Sequence, residues 1–196
     1  MDKMNKMSDT NQLDRRQTKT REAILNAFTE LLFEQNFQKI KISMVAMRAN
    51  IGRSTLYTHF ETKEALLREI LKIPMGALAS VIGSRDIPAH LDWWVMHFRE
   101  KQAIARVLLY LPARKEMLSV LSELIAKRLD DLKDKNQTPI IPMKMIAAQI
   151  AAAQFEIIEP WILGQIAISS SNICKALHIS SNAIANSVLQ ARVRTY

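Results

Sequence analysis

Several things are scarce in this sequence, and each scarcity excludes something. The 196 residues include one cysteine, Cys174, so no intramolecular disulfide framework can form and a reducing compartment suits the chain. The glycines nowhere form a phosphate-cradling loop, and neither His-Glu-x-x-His nor Gly-x-Ser-x-Gly occurs. His59, His90, His97 and His178 are too widely spaced for a local acid–base constellation. No enzyme, cofactor or metal site is therefore expected. No alternating β-branched run announces a sheet, and there is no repeat or low-complexity segment. The greasiest region, 140–168, is interrupted by Lys144, Glu156, Glu159 and Pro160, which suits a buried helix better than a membrane span. The opening MDKMNKMSDTNQLDRRQTKTR lacks the apolar core of a signal peptide. A cytoplasmic protein is expected, without membrane contact.

What is present is ordinary globular material, 48% hydrophobic and 23% charged, with a net charge of +8 and a pI near 9.7. The positive charge is unevenly placed. From Gln35 to Phe60 stand Lys39, Lys41, Arg48 and Arg53 without one carboxylate. Such a patch attracts phosphate backbones, because neutralising phosphates releases their counterions.

Helical periodicity runs through most of the chain. Residues 1–17 read as a flexible polar arm, with Arg15 and Arg16 at its inner end. Ile24, Phe28, Leu31 and Leu32 then share one helix face, which Asn36 should end. A short helix fits Ser43–Asn50 with Ser43 as N-cap, followed by turn chemistry at Asn50-Ile51-Gly52. A second short helix carries Leu56 and Phe60 as its thin apolar stripe. Thr62-Lys63-Glu64 opens a longer one, with a break or kink expected near Pro74 and Gly76. Later helices are expected at roughly 88–100, 102–111, 113–134, 142–166 and 171–192, with a linker around 133–139. The fold class is all-α, a helix-turn-helix head over 18–72 followed by a helical domain over 73–196.

The second short helix holds little for a core and much for a partner. Arg53 can reach guanine edges or phosphates, and Ser54, Thr55 and Thr58 can bond to bases or phosphates. Tyr57 and His59 suit backbone oxygens. Lys63, at a helix N-terminus, adds its charge to the helix dipole beside a phosphate. An ordinary solvated face is the competing reading. The preceding short helix, the turn and the missing acids weigh against it.

The run from Ile42-Ser43-Met44-Val45-Ala46, through Ala49-Asn50-Ile51-Gly52-Arg53-Ser54-Thr55-Leu56-Tyr57-Thr58-His59-Phe60, to Glu61-Thr62-Lys63-Glu64-Ala65-Leu66 resembles the DNA-binding head of TetR family transcriptional regulators. Upstream, Arg21-Glu22-Ala23-Ile24-Leu25 and Ala27-Phe28 also match, so the resemblance covers about 18–72. It implies that Arg53, Ser54, Thr55, Tyr57, Thr58 and His59 meet the major groove or phosphates of double-stranded DNA, with Lys63 as a phosphate clamp. There are departures. Asn50 stands where the family usually has glycine, and Gly52 where it usually has serine. Lys41 replaces the usual opening threonine, which leaves its ammonium for phosphate and shifts the helix start to Ser43. Met44 replaces a commonly acidic residue. The resemblance further implies a helical C-terminal domain that dimerises and binds a small-molecule effector, the whole being a ligand-responsive repressor on a palindromic operator.

Residues 143–166 are apolar on several faces, and Ala147, Ala148, Ala151, Ala152 and Ala153 permit close helix approach. With Ile173, Leu177, Ile184 and Leu189 in the last helix, they suggest a homodimer formed across the last two long helices, about 142–192. Trp93, Trp94, His97, Phe98 and Trp161 are the candidate effector-binding residues, against the plainer reading of aromatics in a core. Cys174 and His178, four apart, read as a buried thiol beside an imidazole.

Overall fold

The computed structural model describes residues 2–101, 109, 113–134 and 141–189, with side chains from residue 15 onward. The elements are α1 (Asp2–Glu34), a 3-10 turn (Phe37–Lys39), α2 (Ile42–Arg48), α3 (Arg53–His59), α4 (Lys63–Ala79), α5 (Ala89–Glu100), α6 (Ala113–Leu132), α7 (Met143–Ile162) and α8 (Ser170–Leu189). No strand occurs among the described residues. The helix expected over 102–111 lies outside them, Leu109 excepted, as does most of the expected linker, 135–139. Among the described residues no helix is long and apolar enough to cross a membrane.

The chain divides into two compact units, Met1–Ile70 and Leu71–Tyr196. In the first, Ile24, Phe28, Leu31 and Leu32 of α1 are buried with Phe37, Ile40, Val45, Ala46, Leu56, Phe60, Leu66 and Leu67. Where an arm was expected over residues 1–17, α1 is already helical from Asp2. Neither proline nor glycine occurs before Gly52 to interrupt it. Asn36 does not simply end α1. Its side chain accepts the Gln38 N–H at 3.0 Å and so caps the 3-10 turn.

Pro74 likewise sits inside α4 without ending it. A mid-helix proline forfeits one backbone bond at a cost of about 3 kcal/mol. Burial of Leu71, Met75 and Leu78 along one stripe offsets that loss.

In the second unit α7 buries Met143, Ile146, Ala147, Ile150, Ala151, Gln154, Phe155, Ile158, Trp161 and Ile162, one continuous stripe at helical spacing. Its other face is open, with Met145 63% exposed and Ala148, Gln149, Ala152 and Glu156 beside it. In α8, Ile173 and Leu177 point into the unit's own core rather than outward, while Ile179 is 68% exposed. Ile184 and Leu189 are half-buried.

The end of α4 and the turn after it are held by side chains from three helices. Gln154 donates to Leu78 O at 3.2 Å and Arg128 Nε to Ile82 O. Asn182 donates to Val81 O and accepts from Gly83 N, both at 2.8 Å, and His178 Nε2 lies 3.0 Å from Ser84 O. Carbonyls that a helix end leaves without partners are thereby satisfied. Gly83 has φ +69°, and a Cβ there would run into the end of the Leu132 side chain.

Gly83→Ala is expected to cost about 1–2 kcal/mol from left-handed strain alone, with Leu132 forced to move. Asn182→Ala, which strips two bonds from the turn, is expected to cost about 1–3 kcal/mol. Urea denaturation of each variant measures these losses, and midpoints equal to the parent's would refute them.

Candidate nucleic-acid interface

The interface is built on a short helix with one apolar edge. Leu56 is buried in α3, and Phe60, which caps the helix, is buried one turn later. At 100° per residue, Ser54 and Thr58 stand opposite Leu56, with Arg53, Tyr57 and Thr55 toward either side. All five are exposed, and His59, nearer the buried edge, is half-buried. Arg53 has no ion pair among the described residues. Thr58 Oγ1 donates to Thr55 O at 2.7 Å, which orients its methyl and leaves oxygen lone pairs free.

What sets α3 in place is the turn before it. Asn50 adopts φ +52°, and Ile51 N bonds to Ala46 O at 3.0 Å while Asn50 N bonds to Met47 O at 3.1 Å. These paired bonds around a left-handed residue form a Schellman motif, closing α2 and redirecting the chain. Gly52 then occupies the N-cap of α3 with φ −66° and no side-chain cap bond. A Cβ there would meet only Ser54 Oγ and Thr55 Oγ1, at 3.7 Å. A hydroxyl-bearing residue fits that position.

Three sequence expectations need correction. Ser43 does not cap α2. The helix begins at Ile42, and the N-cap is Lys41, which makes no side-chain cap bond because an ammonium cannot accept. Lys41 is exposed and Ser43, in the first turn, half-buried.

Lys63 does not stand free. Its Nζ donates to Phe37 O at 3.0 Å and Gln38 O at 3.1 Å, and lies 4.7 Å from the Phe37 ring centroid. Phe37 O also accepts the Ile40 N–H at 3.2 Å, and Lys63 adds a charged donor to this carbonyl and the next.

Arg48 is not part of a carboxylate-free surface either. It forms a bidentate pair with Glu34, at 2.8 and 2.7 Å, and reaches Glu30 at 3.3 Å. Those acids lie in α1, outside the acid-free stretch of sequence but beside it in space. Lys39, Lys41 and Arg53 remain exposed and carry no ion pair among the described residues.

The aromatic set expected to bind an effector does not converge. Trp93 is 58% exposed and stacks on His97, with centroids 5.0 Å apart, while Trp94 meets both edge-on and tilts against Phe98. Trp161 is fully buried, its indole N–H donates to Ile168 O at 2.8 Å, and Arg99 covers its ring at 4.5 Å. The four α5 groups form a partly exposed ladder along one helix, and Trp161 belongs to the core. Cys174 is buried beside Asp92. Burial first, and then that carboxylate's charge, pushes its thiol up to about 11.

Residues 24–70 match the model of the bacterial regulatory proteins of the tetR family. An uncharacterized HTH-type transcriptional regulator of Bacillus subtilis (strain 168), YxbF, is 42% identical over 62 residues, which cover 31% of this chain and 16% of that protein. The match thus spans about a sixth of that relative's length. Among solved structures, a TetR transcriptional regulator from Streptococcus agalactiae 2603V aligns over 88% of this chain and 99% of its own, at 27% identity and a TM-score of 0.58. The flavonoid-responsive regulator FrrA aligns over 91% of this chain and all of its own, at 15% identity and a TM-score of 0.50, a likeness of fold.

Asn50→Ala is expected to cost about 1 kcal/mol, because alanine lacks the side-chain tolerance for the left-handed region, whereas Asn50→Gly stays within about 0.5 kcal/mol of the parent. Equal melting temperatures for the two would sink the assignment. The hydrogen bond from Arg48 holds the Glu34 carboxyl below the usual carboxylate range. The pair's contribution is therefore present at neutral pH and lost as pH falls through that lowered value. The stability gap between parent and Arg48→Met should be measurable at pH 7 and shrink toward zero below about pH 4.

Proposed function

We propose, from a head that belongs to the tetR family of bacterial regulatory proteins, that this chain is a sequence-specific transcriptional regulator. It acts as a ligand-responsive repressor, a homodimer on a palindromic operator. The observation that carries the reading is α3: a helix with one apolar edge, five exposed groups able to bond to groove edges or phosphates, and a Schellman turn that fixes its entry. Arg53, Ser54, Thr55, Tyr57, Thr58 and His59 would meet DNA. Lys41, at the N-cap of α2, and Ser43, in its first turn, would hold its backbone. Lys63 would serve the interface chiefly by keeping the 3-10 turn in place.

The dimer would form through the open faces of α7 and α8. Met145, Ala148 and Ala152 on one and Ile179 and Ala183 on the other present apolar or small groups that this protomer leaves exposed. Two heads then read two half-sites about one helical turn apart, or a multiple of it. An effector that favours one arrangement of the helical domain would shift the population away from the DNA-competent one.

A binding selection on a random duplex library at near-physiological salt tests the reading. Recovery of a palindrome is expected, and only sequence-indifferent binding would refute it. On the selected site Thr55→Ala and Tyr57→Ala should lose about 1–3 kcal/mol, and far less on random DNA. Lys63→Ala should lower the melting temperature while changing the salt slope by less than about one. A full-unit loss of slope at unchanged stability would return Lys63 to a phosphate.

A further inference from the structure

We propose that Met47 is an oxidant-sensitive modification site, whose conversion to the sulfoxide by a hydroperoxide weakens the head's hold on DNA. The inference rests on the DNA-binding reading above. Met47 is 78% exposed, more than any other methionine whose side chain is described. Met75, Met117 and Met143 are buried in the second unit. Met44, three residues earlier on α2, is half-buried, with the Gln35 amide nitrogen 3.9 Å from its sulfur. The Met47 thioether is therefore the one in the head that a dissolved oxidant reaches first.

Exposure alone carries little, since single apolar side chains are common on protein surfaces. Place is what distinguishes Met47. At 100° per residue it lies about 200° round α2 from buried Val45 and about 40° from Ser43. With Ser43, Met44, Ala46, Ile51 and Arg53 it lines an open hollow of about 290 Å³ between α2 and α3. Ser43 and Arg53 are two of the groups assigned above to DNA, and Arg53 has no ion pair among the described residues. A thioether is a weak acceptor, so Met47 leaves the guanidinium to a phosphate or base edge.

Oxidation reverses that. The sulfur lone pair attacks one peroxide oxygen, and an S–O bond forms as the O–O bond breaks. The departing hydroxide takes the transferred oxygen's proton and leaves as water. Sulfur loses two electrons and the peroxide is reduced. The product is a polar side chain whose oxygen is a strong acceptor. Arg53 can only donate, so it turns to the new oxygen in place of DNA, and that oxygen's negative end faces the phosphates. Methionine sulfoxide reductases reverse the change.

The test treats the parent, M47L and M44L with hydrogen peroxide, maps the sulfoxides by peptide mass spectrometry and titrates each protein on the selected duplex. Leucine keeps the volume and the apolar surface without the sulfur. After treatment the parent should lose about tenfold in affinity with its melting temperature unchanged. M44L should lose as much, and M47L should hold. Methionine sulfoxide reductase should restore the parent. Should M47L bind more weakly from the start, the ratio of treated to untreated affinity remains the readout. Cys174 and the methionines outside the head stay in every sample, so a loss shared by M47L overturns the assignment. So does a parent that carries the sulfoxide at position 47 and binds as before, or that loses affinity only by melting early. A Met47 left unmodified while other methionines are oxidised overturns it too. Each of these failures leaves the regulator reading standing, whereas a parent that selects no duplex removes both.

Discussion

The head depends on how little of α3 is buried. Leu56 and Phe60 are its share of the core, and a helix of seven residues has no stability apart from such contacts. Burying two apolar side chains contributes about 1.5–3 kcal/mol each, enough to hold the helix and leave its remaining surface uncommitted. Everything around it serves that economy. The Schellman turn at Asn50 fixes the entry angle, Arg21 covers the Phe60 ring, and Lys63 ties off the 3-10 turn. A wider apolar face would hold α3 more firmly and give its hydroxyls to the core.

Electrostatics in the head shows why charge must be counted in space. The stretch from Gln35 to Phe60 carries no acid, yet Arg48 within it and Lys63 just beyond it are engaged by groups the stretch does not show. Arg48 finds Glu30 and Glu34 across α1, and Lys63 finds backbone carbonyls. Within that stretch Lys39, Lys41 and Arg53 are left without an ion pair among the described residues, a smaller positive surface than the stretch alone implies. Localised charge suits recognition, since phosphate contacts set register while base edges set choice.

The second unit is organised by a different device. Its helices satisfy the backbone at the end of α4 with side-chain amides, an imidazole and a guanidinium rather than with apolar packing alone. Gln154 is fully buried with one oxygen left unpartnered. Such a group costs stability in a low-dielectric interior. Here it joins α7 to the carbonyl end of α4 and to Ser181 of α8.

Helix existence, the turn at Asn50 and the outward groups of α3 were legible in the sequence, because periodicity and backbone tolerance are local properties. So was the inward face of α1. The partners of long side chains were not. Whether Lys63 meets a phosphate or the Phe37 carbonyl depends on a 3-10 turn distant in sequence and adjacent in space. Trp161 and Trp93 look alike as letters, yet one is sealed in a core and the other exposed, since burial belongs to packing and not to residue type. The face of α7 was similarly ambiguous, as a helix apolar on several sides does not say which side its own unit covers. The sequence by itself determined the elements and the chemistry they can present. Only the tertiary structure decided which charges are free, which aromatics are core and which carbonyls need a donor, because those depend on contacts between residues far apart in the chain.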